Sequence, residues 1–414
     1  MEYPGMVIDI ISACIAVGLS NFFLKFTTTL PDTCSRGSSF ITTNSISMRI
    51  LFLIFILINA LIHLPGFVKG FGFREVKELT LPISKSMGLF WLTASVLLIT
   101  YCISYFTNSR YAWLTGFIAV LVSQILIFMF WKDAKFGTIP NLLILLVSVV
   151  GLGSFLLKQE YSNRVKLDFK QNNTFSTDII TQNDIIHLPE IVQKYLHYTK
   201  SIGQARIKNF RAEFVGGMRS KPGEEYMQLQ SVQYNFYQKP SRYFYMEASK
   251  MGLPATGMHL YQNETATFEV KMLNWSKIVD AKGDKLNQTE TVTLFNDMCF
   301  IAPATLIDSR IRWEIINDTT VNAFFTNGSI SISAVLYFKE NGELSNFISN
   351  DRYETDGKAY NNYPWATPVE NYRMMNGYFL PGKANLIYQK PEGDFLYGEL
   401  EFKTVKYNLS GFED

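Results

Sequence analysis

The hydropathy of this chain changes character near residue 157, and that change constrains its fold more than any motif does. Before it lie four apolar stretches, about Ile50–Val68, Met87–Phe106, Tyr111–Trp131 and Ile139–Leu157. Each has roughly the 20 residues a helix needs to cross the hydrocarbon core of a bilayer. Tyr101, Tyr105, Tyr111, Trp113 and Trp131 cluster near their ends, as interfacial aromatics do. A weaker stretch, Met6–Phe26, carries Asp9 and Lys25 near its ends and reads as a further span. Residues 1–47 are therefore set apart as an uncertain segment with a potential extra span, and Met48-Arg49 would also serve as the start of a four-span protein.

After residue 157 the chain is polar and rich in asparagine. Residues 158–182 are short of large aliphatics and read as a linker. A helix is expected over Leu188–Tyr198, where Leu188, Ile191, Val192, Tyr195 and Leu196 form one stripe and Pro189 suits the first helical position. Period-two alternation follows. Phe210, Ala212 and Phe214 alternate with Asn209, Arg211 and Glu213, and Ile330, Ile332, Ala334, Leu336 and Phe338 alternate with Ser331 and Ser333. That pattern predicts strands with one buried and one wet face. Asn327-Gly328, Asn341-Gly342 and Asn376-Gly377 are hairpin turns, because both positions tolerate positive φ, and Glu392-Gly393-Asp394 is a fourth. A second helix is expected at Glu290–Ile301, where Val292, Phe295 and Met298 recur at helical spacing.

The fold class is thus a membrane α-helical bundle, four spans over residues 48–157 with a potential fifth in 1–47, followed at 183–410 by an antiparallel β domain of about ten strands, a half-barrel over helices of the α+β kind. Such a sheet curls to manage its edges.

Charge narrows the partners. Residues 1–157 hold ten Lys/Arg and six Asp/Glu, the remainder 28 and 30, so no basic patch for nucleic acid exists. Lys69, Arg74, Lys77 and Lys85 in one connection and Lys132 and Lys135 in another lie on one side of the membrane. The positive-inside rule puts that side in the cytoplasm and the β domain outside it, on a multi-pass protein of the cell (inner) membrane whose first partner is the lipid bilayer. Cys14, Cys34, Cys102 and Cys299 are too scattered for a disulfide framework, so the β domain relies on its own core.

Catalytic signals are weak. There is no nucleophile elbow and no phosphate-cradling loop. His187 and His197 are ten residues apart, wrong for metal ligands on one helix face, and with His259 read as surface or satisfied structural histidines. No catalytic residue, metal site or cofactor is assigned, and the enzyme question leans to no. Asp351, Arg352, Asp356 and Glu370 read as an exposed loop with its salt bridges. Two polar membrane residues stand out. His63, before Pro65-Gly66, either lines a small-molecule path or marks an interfacial helix end; Asp133 belongs to a tight turn between spans. In the β domain Trp275, Trp313, Phe325 and Trp365 are candidates to line a cavity for a hydrophobic ligand, against the plainer reading that they fill the core.

Several of these segments resemble a bacterial family that pairs a DoxX-like four-helix membrane region with a C-terminal domain of unknown function. The resemblance rests on His63-Leu64-Pro65-Gly66-Phe67-Val68-Lys69, Ser123-Gln124 and Trp131 to Asn141. It continues in Leu188-Pro189, Tyr195-Leu196, Asp351-Arg352-Tyr353, Pro364-Trp365 and Tyr378-Phe379-Leu380-Pro381. It spans residues 48–408 and implies a lipoprotein-carrier-like half-barrel; it implies no activity. The function expected is binding of a hydrophobic or lipid-like ligand or envelope component. The alternatives are a membrane-associated enzyme or redox partner with a site near the helix ends, and a structural scaffold of an envelope assembly.

Overall fold

Four long apolar helices occupy most of residues 41–171. They are α1 (Ile41–Gly70), α2 (Lys85–Phe106), α3 (Ala112–Met129) and α4 (Thr138–Gln171), each long and apolar enough to cross a membrane. The structure, a computed structural model, describes residues 41–172, 178–250 and 253–413. The stretch Met6–Phe26, with Asp9, and the cysteines Cys14 and Cys34 lie outside the described residues, as do residues 173–177 of the expected linker. The chain divides into two compact units, one holding the helices up to Gln159 and the other most of the chain from Glu160 onward.

In the helical unit α1 turns Phe52, Ile56, Ala60 and His63 inward at helical spacing and leaves Ile54, Leu57, Ile58, Leu61 and Ile62 exposed. That outward apolar face suits lipid rather than water. The Pro65-Gly66 pair does not end the helix, as a span-end reading required; Pro65 lies inside α1. Gly66 is there for close packing, since a Cβ on it would stand 2.2 Å from the Trp91 ring. The connection from α3 to α4 is a single helical turn, Trp131–Ala134, and a 3-10 turn, Lys135–Gly137.

The polar segment after residue 157, expected as a tether, is instead the continuation of α4 to Gln171. The physical reason is a stripe the linker reading overlooked: Tyr161, Val165 and Asp168 recur at helical spacing and are all buried. Tyr161 Oη donates to the Val232 carbonyl at 3.0 Å, Phe169 packs edge-on against Phe236, and Asp168 accepts from Ser241 Oγ.

The sheet runs as a long antiparallel path. Its strands are β1 (Asn209–Met218), β2 (Met227–Phe236), β3 (Ser241–Lys250), β4 (Leu253–Gln262), β5 (Thr265–Met272), β6 (Ser276–Lys282), β7 (Ile311–Asn317), β8 (Thr320–Asn327), β9 (Ile330–Phe338) and β10 (Leu344–Ser349). The short strands β11 (Tyr353–Thr355), β12 (Tyr360–Asn362), β13 (Trp365–Ala366), β14 (Val369–Glu370), β15 (Arg373–Met375) and β16 (Tyr378–Leu380) precede β17 (Lys383–Lys390) and β18 (Gly393–Tyr407). The order is β6-β5-β4-β3-β2-β1-β18-β17-β13-β10-β9-β8-β7, with β14 also on β17. All four expected turns join consecutive strands, with Gly328, Gly342, Gly377 and Gly393 at positive φ.

The sheet curls into a half-barrel. Its concave face is covered by α5 (Glu190–Tyr198) and α6 (Asp284–Phe300), which share one core with Phe210, Phe214, Phe325, Leu336 and Phe347. The alternation in β9 falls as expected, with Ile332, Ala334, Leu336 and Phe338 buried. In β1–β3 the wet face is missing: Arg211, Tyr234, Phe236, Tyr243 and Tyr245 are buried as well, under the end of α4. Near the start of α6 side chains link the β4–β5 hairpin to the β8–β9 hairpin. Glu264, on the β4–β5 turn, accepts from Ser329 N at 2.7 Å, and Asn327 Nδ2 donates to Tyr261 Oη at 2.8 Å.

Candidate functional site

Helix α6 is polar in sequence yet buried on every side from Thr289 to Phe300. A polar helix is buried this way only if its neighbours answer its polar groups. Glu290 and Asp297, two turns apart, share the face that meets β2, β3 and β4. There the strand alternation brings Gln233, Asn235, Arg242 and His259 onto the concave side, with Asn235 opposite Arg242 and Gln233 opposite Phe244.

Arg242 is the hub. Its Nε donates to Asp297 Oδ2 at 2.8 Å, Nη1 to Glu290 Oε2 at 3.1 Å and Nη2 to Gln233 Oε1 at 3.2 Å, with Phe244 beneath the guanidinium at 5.1 Å. Asp297 accepts further from Gln233 Nε2 at 2.7 Å and Asn235 Nδ2 at 2.9 Å. Glu290 Oε1 lies 3.1 Å from His259 Nδ1, and the His259 ring stacks on Phe268 at 3.7 Å.

The second guanidinium comes from Arg352. Its sequence context predicts an exposed loop. It is instead half-buried, 4.3 Å above the Trp365 ring, with Nε to Thr293 Oγ1 at 3.3 Å and Nη1 to Tyr388 Oη. Tyr388 Oη in turn donates to the Tyr353 carbonyl at 3.1 Å. Asp351 accepts from Ser333 N at 2.7 Å, Asp356 caps its own turn, and Glu370 pairs with Lys383, so those four residues form no single cluster.

The electrostatics separate the two carboxylates. Burial alone would push Glu290 up, but His259, Arg242 and Arg352 outweigh it and hold the carboxyl down at about 2. Asp297 faces only one of those cations together with neutral amides, and burial raises it above the ordinary carboxylate range. Burial lowers His259 below the usual imidazole value against the pull of Glu290. The arrangement clamps α6 into the sheet and sets two guanidinium groups on aromatic surface. Among the described residues no three His, Cys, Asp or Glu side chains gather as a metal set.

The four aromatic candidates part company. Phe325 is fully buried and stacks on Phe295 at 5.3 Å; Phe295 meets Phe347 at 5.8 Å, and Phe347 meets Trp365 at 6.1 Å. Phe325 and Trp365 thus belong to one aromatic chain through the core. Trp313 packs half-buried against the core from β7, and Trp275 is 48% exposed on the β5–β6 turn. A polar cleft of about 340 Å³, lined by Glu264, Asp284, Asn287, Gln288 and Ser329, opens at the start of α6.

In the helical unit His63 is 2% exposed. Its Nδ1 donates to the Asn59 carbonyl at 2.7 Å, which leaves Nε2 to accept from Ser123 Oγ at 2.8 Å. Asn141 Nδ2 donates to Ser123 Oγ at 2.9 Å and to Gln124 Oε1 at 3.0 Å, joining α1, α3 and α4. Asp133 sits apart from this network, accepting from Leu81 N at 2.9 Å and Thr80 Oγ1 at 2.7 Å.

Arg242, Glu290, Asp297, Gln233 and Asn235 were not singled out from sequence. The available signal was Arg242 directly before the apolar run Tyr243-Phe244-Tyr245-Met246, and two acids seven residues apart on a helix.

Residues 178–400 match the model of a family described as Family of unknown function (DUF6544). Among solved structures, a LolA superfamily protein from Nitrosomonas europaea aligns at 10% identity and a TM-score of 0.31, covering 53% of this chain and 92% of that one. A DUF1329 family protein from Desulfovibrio piger aligns at 8% identity and a TM-score of 0.32, covering 53% and 91%. No curated protein matches the chain. The matched segment is more than half of the 414 residues, and the protein belongs to the family of unknown function DUF6544.

Proposed function

We propose that the protein is a membrane-anchored binding protein whose half-barrel holds a hydrophobic or lipid-like ligand or envelope component on the outer side of the cell (inner) membrane. One observation supports this above others. The concave face of the curled sheet joins aromatic surface, from Phe244 and Phe268 to Phe325 and Trp365, to the guanidinium groups of Arg242 and Arg352. Such a surface suits an amphiphile, with an apolar chain against rings and an acidic end against guanidinium. Helix α6 covers this surface, and its Glu290 and Asp297 occupy Arg242; in this reading a ligand enters by displacing α6, its acidic end taking the place of those carboxylates. In this reading residues 48–157 are a DoxX-like membrane domain and 183–410 the binding domain. The outward orientation is supported by the contact of Asp133 with Thr80 and Leu81, which brings the two lysine-rich connections together on one side.

The test uses the full chain in its membrane with a photoactivatable fatty acid. Labelling at Phe268, Phe325 or Trp365 is expected. Labelling confined to α1–α4 would sink the reading. A one-sided reporter fused after Asp414 tests the orientation, and cytoplasmic activity would reverse it.

A second reading, an enzyme or redox partner within the bundle, is favoured by one contact: Ser123 Oγ lies 2.8 Å from His63 Nε2, the spacing of a hydroxyl with its base. Covalent labelling of Ser123 by a membrane-permeant fluorophosphonate, lost in His63→Ala, is its expected signature; an unlabelled Ser123 removes it.

A further inference from the structure

The two ends of the sheet are finished differently. At β6 the edge is charged and covered: Lys277 pairs with Asp280 at 3.2 Å, Tyr360 Oη donates to the Lys282 carbonyl at 3.1 Å, and a Cβ on Gly357 would stand 3.0 Å from Asp280 N. β7 carries its own ion pair, Arg312 with Glu314, but among the described residues no contact like those of Tyr360 and Gly357 covers its outer edge. β7 ends the strand order with β8 as its single neighbour, and Ile315 and Ile316 are 68% and 56% exposed. An uncovered apolar edge strand is a template for another strand.

The direction of its free hydrogen-bonding groups can be read from the ladder. Arg310 lies opposite Thr326, and Thr326 N donates to the Arg310 carbonyl at 3.1 Å. Backbone groups alternate sides along an antiparallel strand, so Arg312 and Glu314 also turn theirs toward β8, while Trp313 and Ile315 turn theirs outward.

We propose that β7 pairs antiparallel with β7 of a second copy of this chain about a two-fold axis at Trp313. In that register the outward N–H and C=O of Trp313 meet those of its counterpart, and Ile315 lies opposite Ile311. Arg312 faces Glu314 of the other copy, twice. Both side chains are available, 61% and 52% exposed, and already form an ion pair along the strand. Shifting the axis to Ile311 sets Arg310 against Arg312, and shifting it to Ile315 sets Glu314 against Ile316. Charge complementarity therefore selects one register and a self-complementary, isologous contact. The bulge between Ile315 and Asn317 limits the pairing at its far end.

The test is the oligomeric mass of the full chain in lipid nanodiscs. A dimer is expected for the natural chain. Arg312→Glu and Glu314→Arg each place like charges opposite one another at two sites and weaken it about tenfold or more. Arg312→Glu with Glu314→Arg restores it. Ile315→Pro removes an outward N–H without touching the β7–β8 ladder and abolishes the dimer. A monomeric natural chain, a dimer indifferent to Ile315→Pro, or a double variant as weak as either single one would overturn the proposal. Ligand labelling on the concave face is unaffected in every arm.

Discussion

Glu290 and Asp297 stand seven residues apart on one face of α6, and both reach the single guanidinium of Arg242, at 3.1 and 2.8 Å. One cation thus answers two buried acids, with Gln233, Asn235 and His259 filling their remaining acceptor positions. Removing the shared cation leaves Asp297 with neutral amides alone and takes from Glu290 its direct guanidinium partner. Arg242→Ala is expected to cost about 3–5 kcal/mol, the range for breaking a buried ionic pair from one side. Thermal unfolding of the full chain in detergent measures it. Arg164→Ala, which breaks the exposed Arg164–Glu160 pair at 2.9 Å, is the control and changes stability by about 0.5 kcal/mol or less.

The same cluster gives stability a pH dependence of fixed sign. The folded state holds Glu290 at about 2 against an ordinary value of 4.5, so its contribution is complete above 4.5 and is lost as pH falls toward 2. His259 is lowered from 6.5 by burial; the unfolded chain takes up that proton first, and stability falls as pH drops below 6.5. Asp297 is raised and acts in the opposite sense, softening the loss as pH falls. His259→Gln should flatten the melting temperature between pH 7 and about 5, and Glu290→Gln should flatten it between about 4.5 and 2. A profile unchanged by His259→Gln would show that His259 does not titrate between the two states.

The spans and hairpins were legible because their signals are local. An 18- to 22-residue apolar run or an Asn-Gly pair carries its own physics, and the four turns from Gly328 to Gly393 fall where that physics put them. The charged cluster was not legible because its members are spread from Gln233 to Arg352 and meet only through strand pairing and one buried helix. Arg352 shows the difficulty well. Beside Asp351 it has the sequence context of a surface loop, and its ring partners Trp365 and Tyr388 lie 13 and 36 positions downstream.

Arg352 yields a test that separates charge from shape. Its planar group stacks 4.3 Å from Trp365 while bonding Thr293 Oγ1 and Tyr388 Oη. Lysine keeps the charge but loses the plane and the fork of donors. Arg352→Lys should therefore destabilise by about 1–2 kcal/mol, close to the cost of the lost stacking and one hydrogen bond. Quenching of Trp365 fluorescence should change with it, in a variant where the other five tryptophans are replaced by phenylalanine.

The continuation of α4 through Gln171 separates a helix from a tether most directly. Tyr161, Val165 and Asp168 form its buried stripe, whereas Lys166 points outward. A flexible linker is indifferent to proline at an exposed position, because nothing depends on its backbone N–H. A helix loses one internal hydrogen bond and meets a clash with the preceding turn, about 3 kcal/mol in all. Lys166→Pro should therefore lower the melting temperature of the full chain and expose the segment to proteolysis near Arg164, while Lys166→Ala loses only the contact of Nζ with the Phe412 ring at 5.0 Å, costs about 1 kcal/mol or less and does not raise proteolysis. Tyr161→Phe removes only the hydroxyl that reaches the Val232 carbonyl at 3.0 Å, and should cost about 1 kcal/mol without raising proteolysis. If Lys166→Pro behaves like Lys166→Ala, the segment acts as a tether after all, and the buried face of β1–β3 must find its cover elsewhere.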